Sequence, residues 1–303
     1  MKTLRTSRSI KLNLKEFFTI PLHAVYFDQP KFWYFREMTN LTSNSRTART
    51  MLNKVPEVTL FFWLIKIMAT TVGETFADYL NETLGFGLSK TSVLMTVLLL
   101  VALAVQFITR KYIPVSYWLT VVLISVVGTL ITDNLTDNLG LPLQTATIIF
   151  AIALAVVFAI WFASEKTLSI HSIVTTRREI FYWLAILFTF ALGTAAGDLF
   201  SETYQLGYGL SALIFGALIA VVAIARFGFK ASEVTTFWAA YILTRPLGAS
   251  IGDYMSQSKD DSGIGLGTTT TSAIFLVLIV ILVGYLAVTR ADATEKKLGE
   301  TAN

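Results

Sequence analysis

Long apolar stretches separated by short polar links run through the chain from about residue 55, and their lengths predict eight helices. The stretches lie at about 57–80, 91–109, 115–136, 143–164, 179–200, 209–228, 233–256 and 268–289. A helix needs about 20 apolar residues to cross a bilayer, so each stretch is long enough to do so. This pattern favours an all-α polytopic membrane protein over a soluble domain.

The first helix of each consecutive pair contains the same frame of residues. In this frame a tryptophan is followed by a glycine ten residues later and by an aspartate fifteen residues later. The three series are Trp63, Trp118, Trp183 and Trp238; Gly73, Gly128, Gly193 and Gly248; and Asp78, Asp133, Asp198 and Asp253. A frame that recurs at fixed spacing indicates a repeat protein.

The frames also predict how the chain is organised. Because each repeat holds two helices, all four repeats run in the same direction across the membrane, as parallel repeats do. We expect a basic, partly interfacial N-terminal segment at 1–54, a membrane domain at 55–290 with repeats at about 55–115, 116–175, 176–232 and 233–290, and a polar tail at 291–303. The tryptophan spacings of 55, 65 and 55 residues indicate a duplicated pair of repeats. They predict a pseudo-fourfold, two-plus-two bundle.

Composition supports the membrane assignment and removes several classes of function. Hydrophobic residues make up 54% of the 303 residues and charged residues 15%, whereas soluble domains contain about 25% charged residues. The chain has no cysteine, which excludes disulfides and thiolate metal sites. It has no phosphate-binding loop and no GxSxG or HExxH motif. We therefore expect no enzyme activity, no cofactor and no nucleic-acid partner.

The distribution of basic residues predicts the orientation. Seven lysines and arginines lie in the links between repeats, and two lie in the turns within repeats. Cytoplasmic loops carry the excess of basic residues, so we expect the links and both termini in the cytoplasm and the protein in a bacterial inner membrane. The four tryptophans would then be anchors at the inner interface. The aspartates would lie about 22 Å further along the axis, at roughly 1.5 Å per residue.

The four aspartates are the main candidates for function. An ionised side chain in the bilayer core is costly, so such residues usually face a bundle interior and line a pathway. Glu74 precedes Asp78 by four residues, and secondary acids follow three of the aspartates by four residues: Glu82, Asp137 and Glu202. Residues four apart share a helix face. We expect a carboxylate-lined site for a hard cation or for protons; the alternative is that the aspartates cap turns or join helices structurally.

Two basic residues and the glycines complete the candidate set. Arg245 lies mid-helix before Pro246 and needs a partner at that depth, for which Glu74 or Asp78 is the best candidate. It would be a fixed counter-charge or a clamp for an anionic substrate. Lys66 is expected to extend to the inner membrane face, and otherwise to join the acids as a second counter-charge. The repeat glycines predict close helix packing, with local unwinding towards an ion as the alternative.

At the four frames the chain resembles a bacterial family of uncharacterised integral membrane proteins built from a tandem two-helix repeat of unknown function with a shared tryptophan. The likeness is closest in VPEVTLFFWLIKIMATTVGETFAD, at 55–78, and covers about 55–290. It implies the repeat architecture and no specific activity. A looser similarity to small cation exporters with an E-x-G-D signature implies cation transport, although Gly73-Glu74 and Gly197-Asp198 match only part of that signature.

The leading functional hypothesis is a secondary transporter or exporter of a small hard cation, with Mn²⁺ first, coupled to H⁺ or Na⁺. The four aspartates would bind the cation and Glu74 would be the proton-linked acid. The cation is a substrate, and the lipid bilayer is the other expected partner. Two alternatives stay open: a transporter of a small organic acid or solute held by Arg245, and a scaffold or sensor that transports nothing. Homo-oligomerisation is compatible with all three.

Overall fold

The computed structural model describes residues 53–292, so the predictions for the earlier basic segment and for the end of the polar tail lie outside the described residues. Within this range the chain forms eight long helices and no strand. The helices are α1 Leu60–Asp78, α2 Leu88–Ile108, α3 Pro114–Asp133, α4 Leu143–Glu165, α5 Thr176–Asp198, α6 Gly207–Phe229, α7 Glu233–Ser256 and α8 Thr268–Thr289. The predicted all-helical fold and helix order are confirmed.

Seven of these eight helices are long and apolar enough to cross a membrane. The remaining one is α7, which carries Glu233, Arg245 and Asp253 and is therefore less apolar. Few residues of the helices α2, α4, α6 and α8 are buried, and apolar side chains such as Leu213 and Val288 point outward. Apolar surface of this extent suits contact with a lipid bilayer.

The inner helices α1, α3, α5 and α7 form a closed ring. Each packs against the inner helix before and after it in the chain, and α7 returns to α1. Each outer helix packs against the inner helix of the following repeat: α2 on α3, α4 on α5, α6 on α7, and α8 on α1. A single two-helix repeat therefore does not bury its own apolar face, and the ring is complete only when all four repeats are present.

The repeat glycines allow the inner helices to approach one another closely. A methyl group at Gly73, Gly128, Gly193 or Gly248 would overlap with Ser125, Phe190, Arg245 or Thr70, respectively. In each case the contacted residue lies seven positions after the tryptophan of the following repeat, the fourth repeat being followed by the first. The α-helices continue through all four glycines. Close packing is thus the correct interpretation, and local unwinding is wrong.

The tryptophans belong to an aromatic layer at one end of the ring. Each tryptophan is preceded by another aromatic residue, and that residue contacts the tryptophan of the following repeat. The pairs are Phe62 with Trp118, Tyr117 with Trp183, Tyr182 with Trp238, and Phe237 with Trp63, with ring centroids 5.6–6.3 Å apart. Trp118, Trp183 and Trp238 are buried, so the prediction that they are interface anchors is wrong. They hold neighbouring inner helices together.

Candidate carboxylate site

Arg245 joins all four inner helices at one level of the ring. Its Nη2 donates hydrogen bonds to Glu74 Oε2 at 2.8 Å and to Thr194 Oγ1 at 2.6 Å, and also to Thr129 Oγ1. Its Nη1 donates to the backbone oxygen of Thr70 at 3.2 Å. Glu74, Thr129 and Thr194 each lie eleven residues after a repeat tryptophan. The side chain of Arg245 is completely buried. Of the two partners that the sequence suggested for it, Glu74 and Asp78, the structure pairs it with Glu74.

Three carboxylates meet beside this arginine. One carboxylate oxygen each from Glu74, Asp198 and Asp253 lies within 4.8 Å of the other two. Glu74 and Asp253 are buried, and Asp198 is partly buried. Hard cations such as Ca²⁺ bind oxygen ligands at about 2.3–2.6 Å, so oxygens at this separation are close enough to coordinate one ion together.

The other two repeat aspartates lie near this group without belonging to it. Asp78 and Asp133 are both within electrostatic range of Glu74, and both are partly buried. The structure therefore gathers all four aspartates around Glu74 at the end of the ring opposite the aromatic layer. Two of the aspartates, Asp198 and Asp253, share a potential ion position with Glu74. The other two, Asp78 and Asp133, lie beside that position.

A change of helix type follows three of the four aspartates. Asp78, Asp133 and Asp198 are each the last residue of an α-helix. Each is followed by a five-residue π-helical turn, at Tyr79–Thr83, Asn134–Asn138 and Leu199–Thr203. These turns contain the secondary acids Glu82, Asp137 and Glu202, which are exposed. Such turns widen a helix and are frequent at functional sites, and here their acids lie within electrostatic range of Asp78.

Four stretches of the chain, 61–112, 116–167, 181–232 and 236–292, match the profile of a family described as Repeat of Unknown Function (DUF347). The chain belongs to this family. Each DUF347 repeat holds one inner and one outer helix, which confirms the tandem two-helix repeat expected from the sequence. No curated protein and no solved structure matches the chain.

In the first DUF347 repeat Lys66 lies inside the ring rather than at the membrane face. It is completely buried. Its Nζ donates to the backbone oxygen of Tyr241 at 3.0 Å and to Thr244 Oγ1 at 2.6 Å. None of the acids at 53–292 forms an ion pair with it. The prediction that Lys66 extends to the surface is wrong, and its partners are neutral groups rather than the acids of the alternative.

Thr129 and Thr194 are site residues that the sequence reasoning missed. A signal was present, because both lie in the second and third DUF347 repeats at the position that Glu74 occupies in the first. Threonine is common and unremarkable in an apolar helix. Aligning the repeats and asking which positions are polar in more than one of them would have found both.

Proposed function

We propose that this DUF347 protein crosses a bacterial inner membrane eight times, with both termini in the cytoplasm, and moves a hard divalent cation by secondary transport. The cation binds first to Glu74, Asp198 and Asp253. The observation that carries the proposal is that these carboxylates come from three different repeats and approach within 4.8 Å of one another. Ionised carboxylates at such distances repel each other, and a bound cation removes that repulsion.

The surroundings of Asp253 support the proposal. Asp253 is only 6% exposed, and no donor within 53–292 forms a hydrogen bond with its carboxylate. An ionised carboxylate in such a place is costly unless a positive charge accompanies it. Glu74 accepts from Arg245 and from Thr129 through Oε2, so its Oε1 is directed to neither of them. The carboxylates of Asp198 and Asp253 and the Oε1 atom of Glu74 are thus available to a cation.

The ligand set favours a particular class of ion. Carboxylate oxygens without cysteine or histidine suit Mg²⁺, Ca²⁺ and Mn²⁺ better than softer metals, and Mn²⁺ remains our leading candidate. The organic-acid alternative is weaker because both terminal nitrogens of Arg245 already donate to protein oxygens. An anionic substrate would have to displace Glu74, with which Arg245 forms its ion pair.

The proposed arrangement is pseudo-fourfold, and α7 crosses the membrane as one of the four helices of the ring, with most of its surface covered by its neighbours. The cation reaches the site from the end that carries the π-helical turns. Arg245 lies on the other side of the site and opposes passage of a cation towards the aromatic layer, as a fixed positive charge does in a selective pore. Transport therefore requires a second conformation in which this layer rearranges.

The proposal is tested by titrating the purified, detergent-solubilised protein with MnCl₂ in a calorimeter and by following Mn²⁺ uptake into proteoliposomes. We expect Asp198→Asn and Asp253→Asn each to weaken Mn²⁺ binding by more than about tenfold, or about 1.4 kcal/mol. Asp133→Asn is the matched control, since it has the same repeat position outside the group of three. Absence of Mn²⁺ binding by the native protein, or equal binding by all variants, would favour the scaffold alternative.

A further inference from the structure

Lys66 is a buried charged residue that the proposed cation site does not use. It lies on α1, eight residues before Glu74, and therefore about two helical turns from it at 3.6 residues per turn. Besides its two hydrogen bonds, its Nζ lies 3.8 Å from the ring centre of Tyr241 and 5.2 Å from that of Phe190. The nitrogen is thus enclosed by neutral oxygens and aromatic faces.

Lys66 has a neighbouring positive charge but forms no ion pair with an acid within 53–292. The charged or titratable groups around it are Arg245 and Tyr241 on α7, and Glu74 further along α1. Arg245 is close enough for the two positive charges to repel. Glu74 already forms an ion pair with Arg245. Lys66 therefore has no ion-pair partner within 53–292, and a cation bound at Glu74, Asp198 and Asp253 adds positive charge on the side where Arg245 lies.

Only one of the two basic residues can respond to the added charge of a bound cation by losing a proton. Arginine keeps its proton in proteins, whereas a buried lysine can lose one. The surroundings of Lys66 accommodate both forms. A neutral amine still has two N–H groups, which is the number needed for the backbone oxygen of Tyr241 and for Thr244 Oγ1. In the ammonium form the positive charge is also stabilised by a cation–π contact with the ring of Tyr241.

We propose that Lys66 carries the proton that this protein exchanges for its cation, which rests on the proposed function above. When a divalent cation binds at Glu74, Asp198 and Asp253, one N–H bond of the Lys66 ammonium breaks. The electron pair stays on nitrogen, and the proton leaves to water at the aromatic end of the ring. Rebinding of a proton restores the ammonium and favours release of the cation. This gives Lys66 the proton-linked role that the sequence suggested for Glu74.

The aromatic layer offers hydroxyl groups for the passage of this proton. The hydroxyls of Tyr117 and Tyr182 are hydrogen-bonded to each other inside the layer. The buried hydroxyl of Tyr241 has no hydrogen-bond partner within 53–292. Lys66 and Tyr241 each lie three residues after the tryptophan of their repeat, whereas Tyr117 and Tyr182 each lie one residue before it. The two tyrosines are therefore about one helical turn closer to the aromatic end. These are polar groups between the lysine and the aromatic end.

The experiment uses full-length protein in proteoliposomes with a trapped pH-sensitive dye and an imposed Mn²⁺ gradient. Lys66→Met is permanently neutral and Lys66→Arg is permanently charged. We expect each to reduce Mn²⁺-driven proton flux by more than about tenfold, because neither can exchange a proton at this position. We expect both variants to keep Mn²⁺–Mn²⁺ exchange. Mn²⁺ should bind more tightly to Lys66→Met, which lacks the positive charge, and more weakly to Lys66→Arg, which always carries it. Lys259→Met, in an exposed loop, is the matched control and leaves proton flux unchanged.

A second measurement does not depend on the folding of any variant. Mn²⁺ titration of the native protein in buffers of different ionisation enthalpy counts the protons released on binding, and we expect a net release. The inference is overturned if the native protein binds Mn²⁺ without releasing protons, or if a folded Lys66 variant keeps native proton flux. Failure of the native protein to bind Mn²⁺ would instead overturn the proposed function.

Discussion

Gly193 of α5 lies directly against Arg245 of α7: a Cβ atom on Gly193 would be 2.5 Å from the Cβ atom of Arg245. The missing side chain leaves room for the stem of the arginine. From there the guanidinium reaches Glu74, Thr129 and Thr194 on the other three helices of the ring. One close helix approach thus positions the charged group beside the carboxylate site.

This contact predicts that Gly193→Ala destabilises the protein. The overlap involves the Cβ atom of a buried residue, which cannot turn away as the end of a side chain can, so we expect a loss of about 1–3 kcal/mol. The measurement is the thermal unfolding midpoint in detergent. The matched control is Gly216→Ala in α6, where an added Cβ has nothing within 4 Å. Equal midpoints for the two variants would contradict the packing role of Gly193.

The ion pair between Glu74 and Arg245 predicts strong coupling between two substitutions. Arg245→Met leaves Glu74 buried beside other acids, and Glu74→Gln leaves Arg245 without its anion, so each single change should cost about 3–5 kcal/mol. The double variant removes both charges and should cost clearly less than the sum of the two. A double-mutant cycle on the free energy of unfolding measures this coupling. Simple additivity would show that the pair does not act as a unit.

A second buried ion pair lies at the aromatic end. Lys54 Nζ donates to Glu179 Oε2 at 2.7 Å and to the backbone oxygen of Gln106 at 2.9 Å, near the end of α2. We expect Lys54→Met to cost about 3–5 kcal/mol, because it leaves Glu179 buried without its cation. The pair of the exposed Glu233 with the partly buried Arg226 gives the comparison, and Glu233→Gln should cost under about 1 kcal/mol. Similar unfolding midpoints for both variants would refute this difference.

We expect the stability of the protein to depend on pH because Asp292, beyond the last helix, is a buried acid. Burial raises the pKa of Asp292, and the hydrogen bond that Tyr112 donates to its Oδ2 at 2.6 Å opposes the rise only in part. The folded state therefore binds this proton more tightly than the unfolded state, whose pKa is about 3.9. The resulting stabilisation is complete below the unfolded-state pKa and is lost as pH rises through the higher folded-state pKa.

Unfolding midpoints of the native protein and of Asp292→Asn, measured at a series of pH values from about 4 upward, test this. The difference between the two proteins should change as pH rises, because the variant lacks the titrating group. Asp260→Asn, in an exposed loop, serves as control and should run parallel to the native protein. A constant difference between native protein and Asp292→Asn would contradict the prediction.

Much of the fold could be predicted from the sequence because each helix is specified locally. A long apolar stretch bounded by polar links folds as a helix, since only helices satisfy their own backbone hydrogen bonds in lipid. The repeated spacing of Trp63, Gly73 and Asp78 was likewise visible in the chain, and it predicted both the tandem repeats and the close packing at the glycines. The ion pair of Arg245 followed from the cost of an isolated buried charge.

The partners within the ring were decided only by tertiary structure. An apolar helix that is hydrophobic on all sides carries little information about its rotation, so the sequence could not tell that Lys66 and Trp118 turn inward. Glu74 and Arg245 are 171 residues apart in the chain, and they meet because α7 closes the ring onto α1. That closure also selects Asp198 and Asp253, and not Asp78 or Asp133, to share one ion position with Glu74. Local pattern determines helices, but the geometry of a site depends on how their faces are turned towards each other.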